Sequence, residues 1–205
     1  EAVYRYEYPY EDGIQLERYA FRRETLRQKF SDKSIIISLA ADVRNRQNDV
    51  DYEYRQNSNF WYLTGFPDPD AALLLLPGMG VSVNGQLQNE ILFVKPRDIN
   101  REMWTGVAMG VEEAGKILKF KCVKPINEFY KFLQTILPEK DTLWISNLPT
   151  SIITTPITKE LNFIEKNLKT ALHSHNPNLY VRTSIPALNA MREVKDVDEI
   201  RLIRK

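Results

Sequence analysis

Imidazole is scarce in this sequence, which has only His173 and His175, spaced i, i+2 in "LHSHNPN". Such a pair could supply two corners of a metal site, but that site would need one or two further ligands and outer partners to orient the rings. The same string is also turn chemistry: Asn and Pro follow a helical run, and His near a helix C-terminus is independently favoured by the dipole. Carboxylates are plentiful. Asp49, Asp51 and Glu53 alternate, so an extended chain points all three to one side, as oxygen ligands for a hard cation or as a solvated face. Asp68 and Asp70 flank Pro69, and Asp70 fits a turn. Trp104, in "REMWTGVAMG", is a large amphipathic ring beside a Thr-Gly turn. Composition sets the core ahead for it, with an interface or ligand pocket as the other reading.

Nucleophilic catalysis finds no support. There is no Gly-x-Ser-x-Gly elbow, and Cys122 sits in "KFKCVKP", an expected strand in which a buried, inert thiol is the usual case. Gly78, Gly80 and Gly85 match neither a dinucleotide fingerprint nor a phosphate loop. Twenty-eight basic against twenty-seven acidic residues leave a formal charge of +1, without a Lys/Arg run to follow a phosphate backbone, so no nucleic-acid partner is expected. One cysteine allows no intrachain disulfide. The longest apolar run, "AALLLL", is far too short for a membrane helix, so no membrane partner is expected either.

Any such residues need a frame to hold them. "IQLERYAFRRETLRQKF" places Leu16, Tyr19, Ala20, Arg23 and Leu26 at helical intervals, which predicts a helix from about Gln15 to Phe30. "SIIISLAA" is too continuously apolar for a half-exposed strand and predicts one covered on both faces. "FWYLTGF", "AALLLL" and "EILFVKP" read as further strands, with "GMGVSVNGQLQN" as a polar loop between the last two. Their short spacings predict antiparallel neighbours, a meander behind one helix. From Val111 helices and strands alternate, through "VEEAGKILKF", "KCVKPI", "NEFYKFLQTIL", "DTLWIS", "TKELNFIEKNLKTAL" and "NLYVRTS". That alternation predicts parallel pairing with helices on the sheet faces. The fold class expected is α/β, a single domain with a mixed β-sheet flanked by helices.

The chain begins at Glu1 without an initiator Met, which is the pattern of a trimmed or processed start. "MREVKDVDEIRLIRK" has helical spacing at Val194, Val197, Ile200 and Ile203 and reaches Lys205 without a stop signal, as though cut in mid-helix.

Three strings then line up in order and spacing: "YEYRQNSNFWYLTGFPDPDAALLL", "ILFVKPRDINREMWTG" and "MREVKDVDEIRLIRK". Together they resemble the N-terminal domain of aminopeptidase P, the Xaa-Pro aminopeptidases of the creatinase and prolidase architecture, from about Tyr19 to Lys205. The resemblance implies an α/β domain over residues 1–184, with 1–13 as an extension. Residues 185–205 would then be a linker and the first helix of a pita-bread catalytic domain missing from this chain. In that family two divalent metals, usually Mn2+, are bound in the second domain and activate a bridging water against the bond preceding proline. The fragment alone is therefore expected to be inert and to hold no metal. It would belong to a homo-oligomer, a dimer or tetramer, acting on Xaa-Pro peptides.

The family's tryptophan that reaches a neighbouring subunit's active site matches Trp104. An acidic position at the same mouth matches Asp49, although the surrounding "NRQNDV" departs from other members. "RQNSNFWYLTGF" is expected to be a loop feeding a core strand, with Phe60, Tyr62 and Leu63 packed. Arg55, Gln56 and Asn57 would hold the loop through hydrogen bonds to otherwise unpaired backbone groups. A prolidase-type dipeptidase and a non-enzymatic peptide- or protein-binding module share the architecture and stand as the alternatives. A cytoplasmic location is the expectation, with a cleaved signal peptide ahead of Glu1 equally consistent with the sequence.

Overall fold

In a computed structural model of the protein, residues 13–146, 172 and 174–205 are described. The expected helix over 158–172, apart from Leu172, lies outside the described residues, as does His173. In chain order the elements are α1 (Leu16–Arg27), β1 (Ser34–Leu39), β2 (Asn45–Gln47), β3 (Val50–Asp51), α2 (Ser58–Thr64) and β4 (Ala72–Leu75). Next come β5 (Val81–Val83), β6 (Gln86–Gln88), β7 (Glu90–Val94), α3 (Ile99–Thr105), α4 (Gly110–Leu118), β8 (Val123–Pro125) and α5 (Phe129–Ile136). The chain continues through β9 (Thr142–Ile145), β10 (Tyr180–Thr183), α6 (Ile185–Glu193) and α7 (Val197–Ile203).

The apolar runs form the centre of a six-stranded sheet ordered β10-β9-β1-β4-β7-β8 among the described residues. β1, β4 and β7 pair antiparallel, with Ile37 opposite Leu74 and Leu74 opposite Ile91, which is the expected meander. β8 joins β7 in parallel, while β9 joins β1 and β10 joins β9 in parallel, as the alternating second half requires. Alternate residues divide the core. Ile35, Ile37, Leu74, Ile91 and Phe93 face α5 through Phe129, Leu133 and Ile136. Ile36, Leu73, Leu75, Leu92 and Val94 face the other layer, where Leu26 of α1, Phe60 and Leu63 of α2, Leu118 of α4 and Leu188 of α6 complete the packing. Burial on both faces is why these strands show no polar alternation.

Three expectations need correction. "FWYLTGF" is not a strand: residues from Ser58 to Thr64 are helical. Its aromatic and β-branched content favours extension, but the Asn57 side chain caps the helix by accepting from the backbone N–H groups of Asn59 and Phe60, and Gly65 terminates it at φ 64°. "VSVNGQLQ" is not a loop but the β5–β6 hairpin. Asn84 and Gly85 both take positive φ at its turn, and Val83 pairs with Gln86. Gly80 before it has no tolerable substitute, because an added Cβ would lie 2.2 Å from the Gln88 carbonyl oxygen. Finally, the C-terminal helix is broken. α6 ends at Glu193, and α7 starts afresh at Val197 behind a capping box in which Asp196 and Glu199 each accept from the other's backbone N–H.

The expected helix over 15–30 is present as α1, but its inward face carries arginines. Arg22 donates to the Tyr62 carbonyl at 3.3 Å and Arg23 to the Leu63 carbonyl at 2.9 Å. Two consecutive cations thus satisfy two carbonyls at the negative end of α2, groups that no helical N–H can reach. Arg23 also grips Glu90 of β7 through two bonds of 2.7 and 3.1 Å, with its guanidinium 4.0 Å from the centre of the Phe120 ring. This side chain joins α1, α2 and the sheet.

Candidate functional site

The "YRQN" string is built around Gln56. Its side-chain oxygen accepts from the N–H groups of Ala41 and Asn57, both at 2.8 Å, and its amide donates to the carbonyls of Phe66 at 3.1 Å and Asp68 at 2.9 Å. Every polar position of the amide is used, so one residue ties the exit of β1 to the entry of β4. Tyr54 adds a bond from its hydroxyl to the Ala41 carbonyl at 3.0 Å. Burial, with Asp68, Asp42 and Asp70 nearby, pushes that hydroxyl above the usual phenol range. Phe60, Tyr62 and Leu63 are buried, as expected. Arg55 is the exception: it makes no hydrogen bond to the loop, and its exposed side chain lines a groove described below. Its position one residue before Gln56 turns it away from the carbonyls that Gln56 gathers.

Trp104 overturns the expectation of a core residue. It is 87% exposed on α3, beside Met103 at 79% and Ile99 at 75%. The helix that presents them is braced from its N-terminal end. Asp98 caps it by accepting from the Asn100 N–H, and Arg97 grips Glu102 with bonds of 2.7 and 2.6 Å. That pairing holds the Glu102 carboxyl below the usual carboxylate range and the Arg97 guanidinium above its own. Beyond the helix, Asp68 accepts from the buried Met109 N–H at 2.8 Å, and burial raises its carboxyl pKa against the opposing effect of that bond. Gly110, at φ 68°, leaves room for the Arg97 stem, 2.5 Å from where a Cβ would stand. A braced seven-residue helix thus holds three large apolar side chains in water.

Asp49 lies in the two-residue turn between β2 and β3, where Asn48 takes φ 51°. Asp49, Asp51 and Glu53 are all exposed, and Asp51 accepts from the Asn45 amide at 3.0 Å. No hydrogen bond, ion pair or ring contact joins Asp49 to Trp104 among the described residues. Nor does any group of three or more His, Cys, Asp or Glu among them form a cluster that could hold a metal. Their donors do not fit a dinuclear centre. His175 is exposed, with its Nδ1 2.9 Å from the Ser174 hydroxyl. Cys122 lies just before β8 rather than within it, and burial pushes its thiol up, away from the reactive thiolate. No helix among the described residues is long and apolar enough to cross a membrane.

The remaining feature is a groove of about 1240 Å³ between the start of α1, the "YRQN" string with α2, and the α6–α7 segment. Its floor is Arg22, which donates to Asp196 at 3.1 Å, lies 3.5 Å from Glu199 and stacks 4.1 Å from the centre of the Tyr62 ring. Burial pushes the Asp196 carboxyl up, but the Glu199 N–H and the Arg22 charge outweigh it and hold the pKa below the usual range. Tyr62 donates to the Met191 carbonyl, and Arg192 to the Asn59 side chain at 2.7 Å. These contacts fasten α6 and α7 to α1 and α2. The sequence hides them because their partners stand more than a hundred residues apart.

The family profile of "Aminopeptidase P, N-terminal domain" matches residues 19–144. A Xaa-Pro aminopeptidase of Haemophilus influenzae is 32% identical over 190 residues, covering 92% of this chain and 39% of the relative. Among solved structures, aminopeptidase PepP of Pseudomonas aeruginosa aligns with a TM-score of 0.73 at 28% identity, over 94% of this chain and 41% of its own. Aminopeptidase P of Escherichia coli, solved with the inhibitor Pro-Leu, gives a TM-score of 0.71 at 26% identity, over 94% of this chain and 42% of its own. The chain thus spans about two-fifths of the length of these relatives. On sequence and fold together, it belongs to the aminopeptidase P N-terminal domain family.

Proposed function

We propose that this chain is the non-catalytic N-terminal domain of a metal-dependent Xaa-Pro aminopeptidase, and that it serves oligomerisation and substrate access. Its own C-terminal catalytic domain would supply the two divalent metals, Mn2+ by family resemblance, and all of the bond-breaking chemistry. The observation that carries the reading is the α3 face. Water-exposed Ile99, Met103 and Trp104 stand on a helix braced by Arg97–Glu102 and by the Asp68–Met109 bond. An isolated exposed Trp is ordinary, but three large apolar side chains on one short, braced helix suit contact with another surface. A second subunit in that place would put Trp104 at the mouth of its neighbour's site, with Asp49 as an acidic contact, and would narrow access to short or flexible peptides.

Trp104→Ala in the longer enzyme tests this. Truncating an aromatic anchor at an interface costs about 2 kcal/mol, so kcat/KM on Xaa-Pro peptides longer than dipeptides should fall by about thirtyfold. Steady-state kinetics with mass photometry of the same sample separates loss of assembly from loss of substrate contact. Unchanged kinetics on those peptides in a fully assembled variant would remove Trp104 from any shared site.

A further inference from the structure

We propose that Glu102 is a positioning residue: through Arg97 it fixes α3 to α4, and so sets where the Trp104 ring stands. Its consequence for catalysis rests on the shared-site reading above. A seven-residue helix with its large apolar side chains turned to water does not keep its place by itself. Among the described side chains of α3, those of Ile99, Asn100, Met103, Trp104 and Thr105 are exposed, and that of Glu102 alone is covered, at 6% exposure. The anchor is therefore a carboxylate rather than an apolar group. Two positions along a helix turn the chain by about 200°, so Glu102 lies opposite Trp104. Both of its oxygens are taken by one guanidinium, from Nε at 2.7 Å and from Nη2 at 2.6 Å. Such a fork fixes the plane of the carboxylate as well as its distance.

Arg97 carries that hold into the domain. Its stem packs over Gly110, where an added Cβ would stand 2.5 Å from it, and Glu113 of α4 attracts its charge in addition to Glu102. α4 in turn buries Ala114 and Leu118 in the layer beneath. One ionic link thus connects the helix that presents Trp104 to one that is packed into the core. Glutamine at position 102 would offer one oxygen where two donors now converge, and would set its own N–H2 against a guanidinium N–H. That change breaks the fork while hardly altering volume. Where a ring contributes to a reacting site, a misplacement of about 1 Å can cost about a hundredfold in rate, so the anchor opposite the ring matters as much as the ring.

The test compares Glu102→Gln, Trp104→Ala, their double variant and Arg97→Lys in the longer polypeptide. Hydrogen exchange read by mass spectrometry follows the amides from Glu102 to Gly106, where Gly106 donates to the Glu102 carbonyl at 3.0 Å. Glu102→Gln should speed exchange there by about tenfold or more while β4 keeps its wild-type rate. Arg97→Lys keeps the charge and stem but loses the fork, should speed it by about threefold, and decides the matter if Glu102→Gln fails to fold. Wild-type exchange in these variants overturns the proposal. On Xaa-Pro peptides longer than dipeptides, Glu102→Gln should lower kcat/KM, and the double variant should match Trp104→Ala within about twofold, because the carboxylate acts through the ring. Losses that multiply in the double variant would make Glu102 a general support of the fold and overturn the assignment. So would wild-type kinetics in Glu102→Gln beside an impaired Trp104→Ala. Unchanged kinetics in Trp104→Ala overturns the shared-site reading alone, since exchange still decides whether Glu102 fixes α3.

Discussion

Replacing Arg23 by Met should destabilise the fold by about 3 kcal/mol, a large fraction of the roughly 5–15 kcal/mol typical of a domain. Methionine keeps much of the apolar stem that packs near Phe120, so the loss is chiefly polar. Two bonds to Glu90 and one to the Leu63 carbonyl disappear together. Breaking a buried ion pair costs about 3–5 kcal/mol because the remaining charge is uncompensated. The Glu90 side chain retains 16% exposure and can recruit water, which places the expectation at the lower end of that range. Urea unfolding should show the midpoint falling by about 1–3 M with an unchanged slope, given a slope of about 1–3 kcal/mol/M. The double variant Arg23→Met/Glu90→Leu removes the orphaned charge and should recover most of the loss. A single variant within about 0.5 kcal/mol of wild type, or a double variant no better than the single, would refute the claim that this pair joins α1 to the sheet.

Two further outcomes follow from the same frame. Asn57→Ala removes the acceptor for two N–H groups at the start of α2 and should cost about 1 kcal/mol by chemical denaturation, whereas Asn57→Asp should cost little. Burial pushes the Tyr19 hydroxyl up from 10.0 to about 12, so the folded state holds that proton more tightly than the unfolded chain. Its stabilising contribution is present below pH 10 and is lost as the pH rises towards 12, by up to about 2–3 kcal/mol. Tyr19→Phe should therefore flatten the alkaline limb of stability against pH, and an unchanged limb would contradict that assignment.

What could be read from the residues depended on how local the deciding contacts are. β1, β4 and β7 were legible because burial on both faces writes itself as continuous apolar sequence, and the parallel second half was legible from its alternation. α2 was misread because aromatic and β-branched content outweighed its local punctuation. Asn57 at the cap and Gly65 at the left-handed end mark a short helix, and both are visible in the string. Asn84-Gly85 was likewise an available hairpin signal within a segment taken for a polar loop. Aspartate 196 and Glu199 similarly spell a capping box that breaks the apparently continuous C-terminal helix. The loop-holding role expected of Gln56 is present, whereas the roles of Arg22 and Arg23 were of another kind. Their partners are brought up by the tertiary fold, as far as 174 positions along the chain, and no spacing rule reaches them. Trp104 illustrates the opposite limit: hydrophobicity alone cannot tell a core ring from one held out in water.

The central claim is that this domain belongs to a Xaa-Pro aminopeptidase whose chemistry lies elsewhere in the polypeptide. The most direct measurement is release of the first residue from a Xaa-Pro peptide by two samples, the native polypeptide containing this sequence and the 205-residue chain, each with and without added Mn2+. The account predicts metal-dependent release by the longer polypeptide and none by the chain alone. Release by the 205-residue chain, or none by the longer polypeptide in the presence of metal, would contradict it.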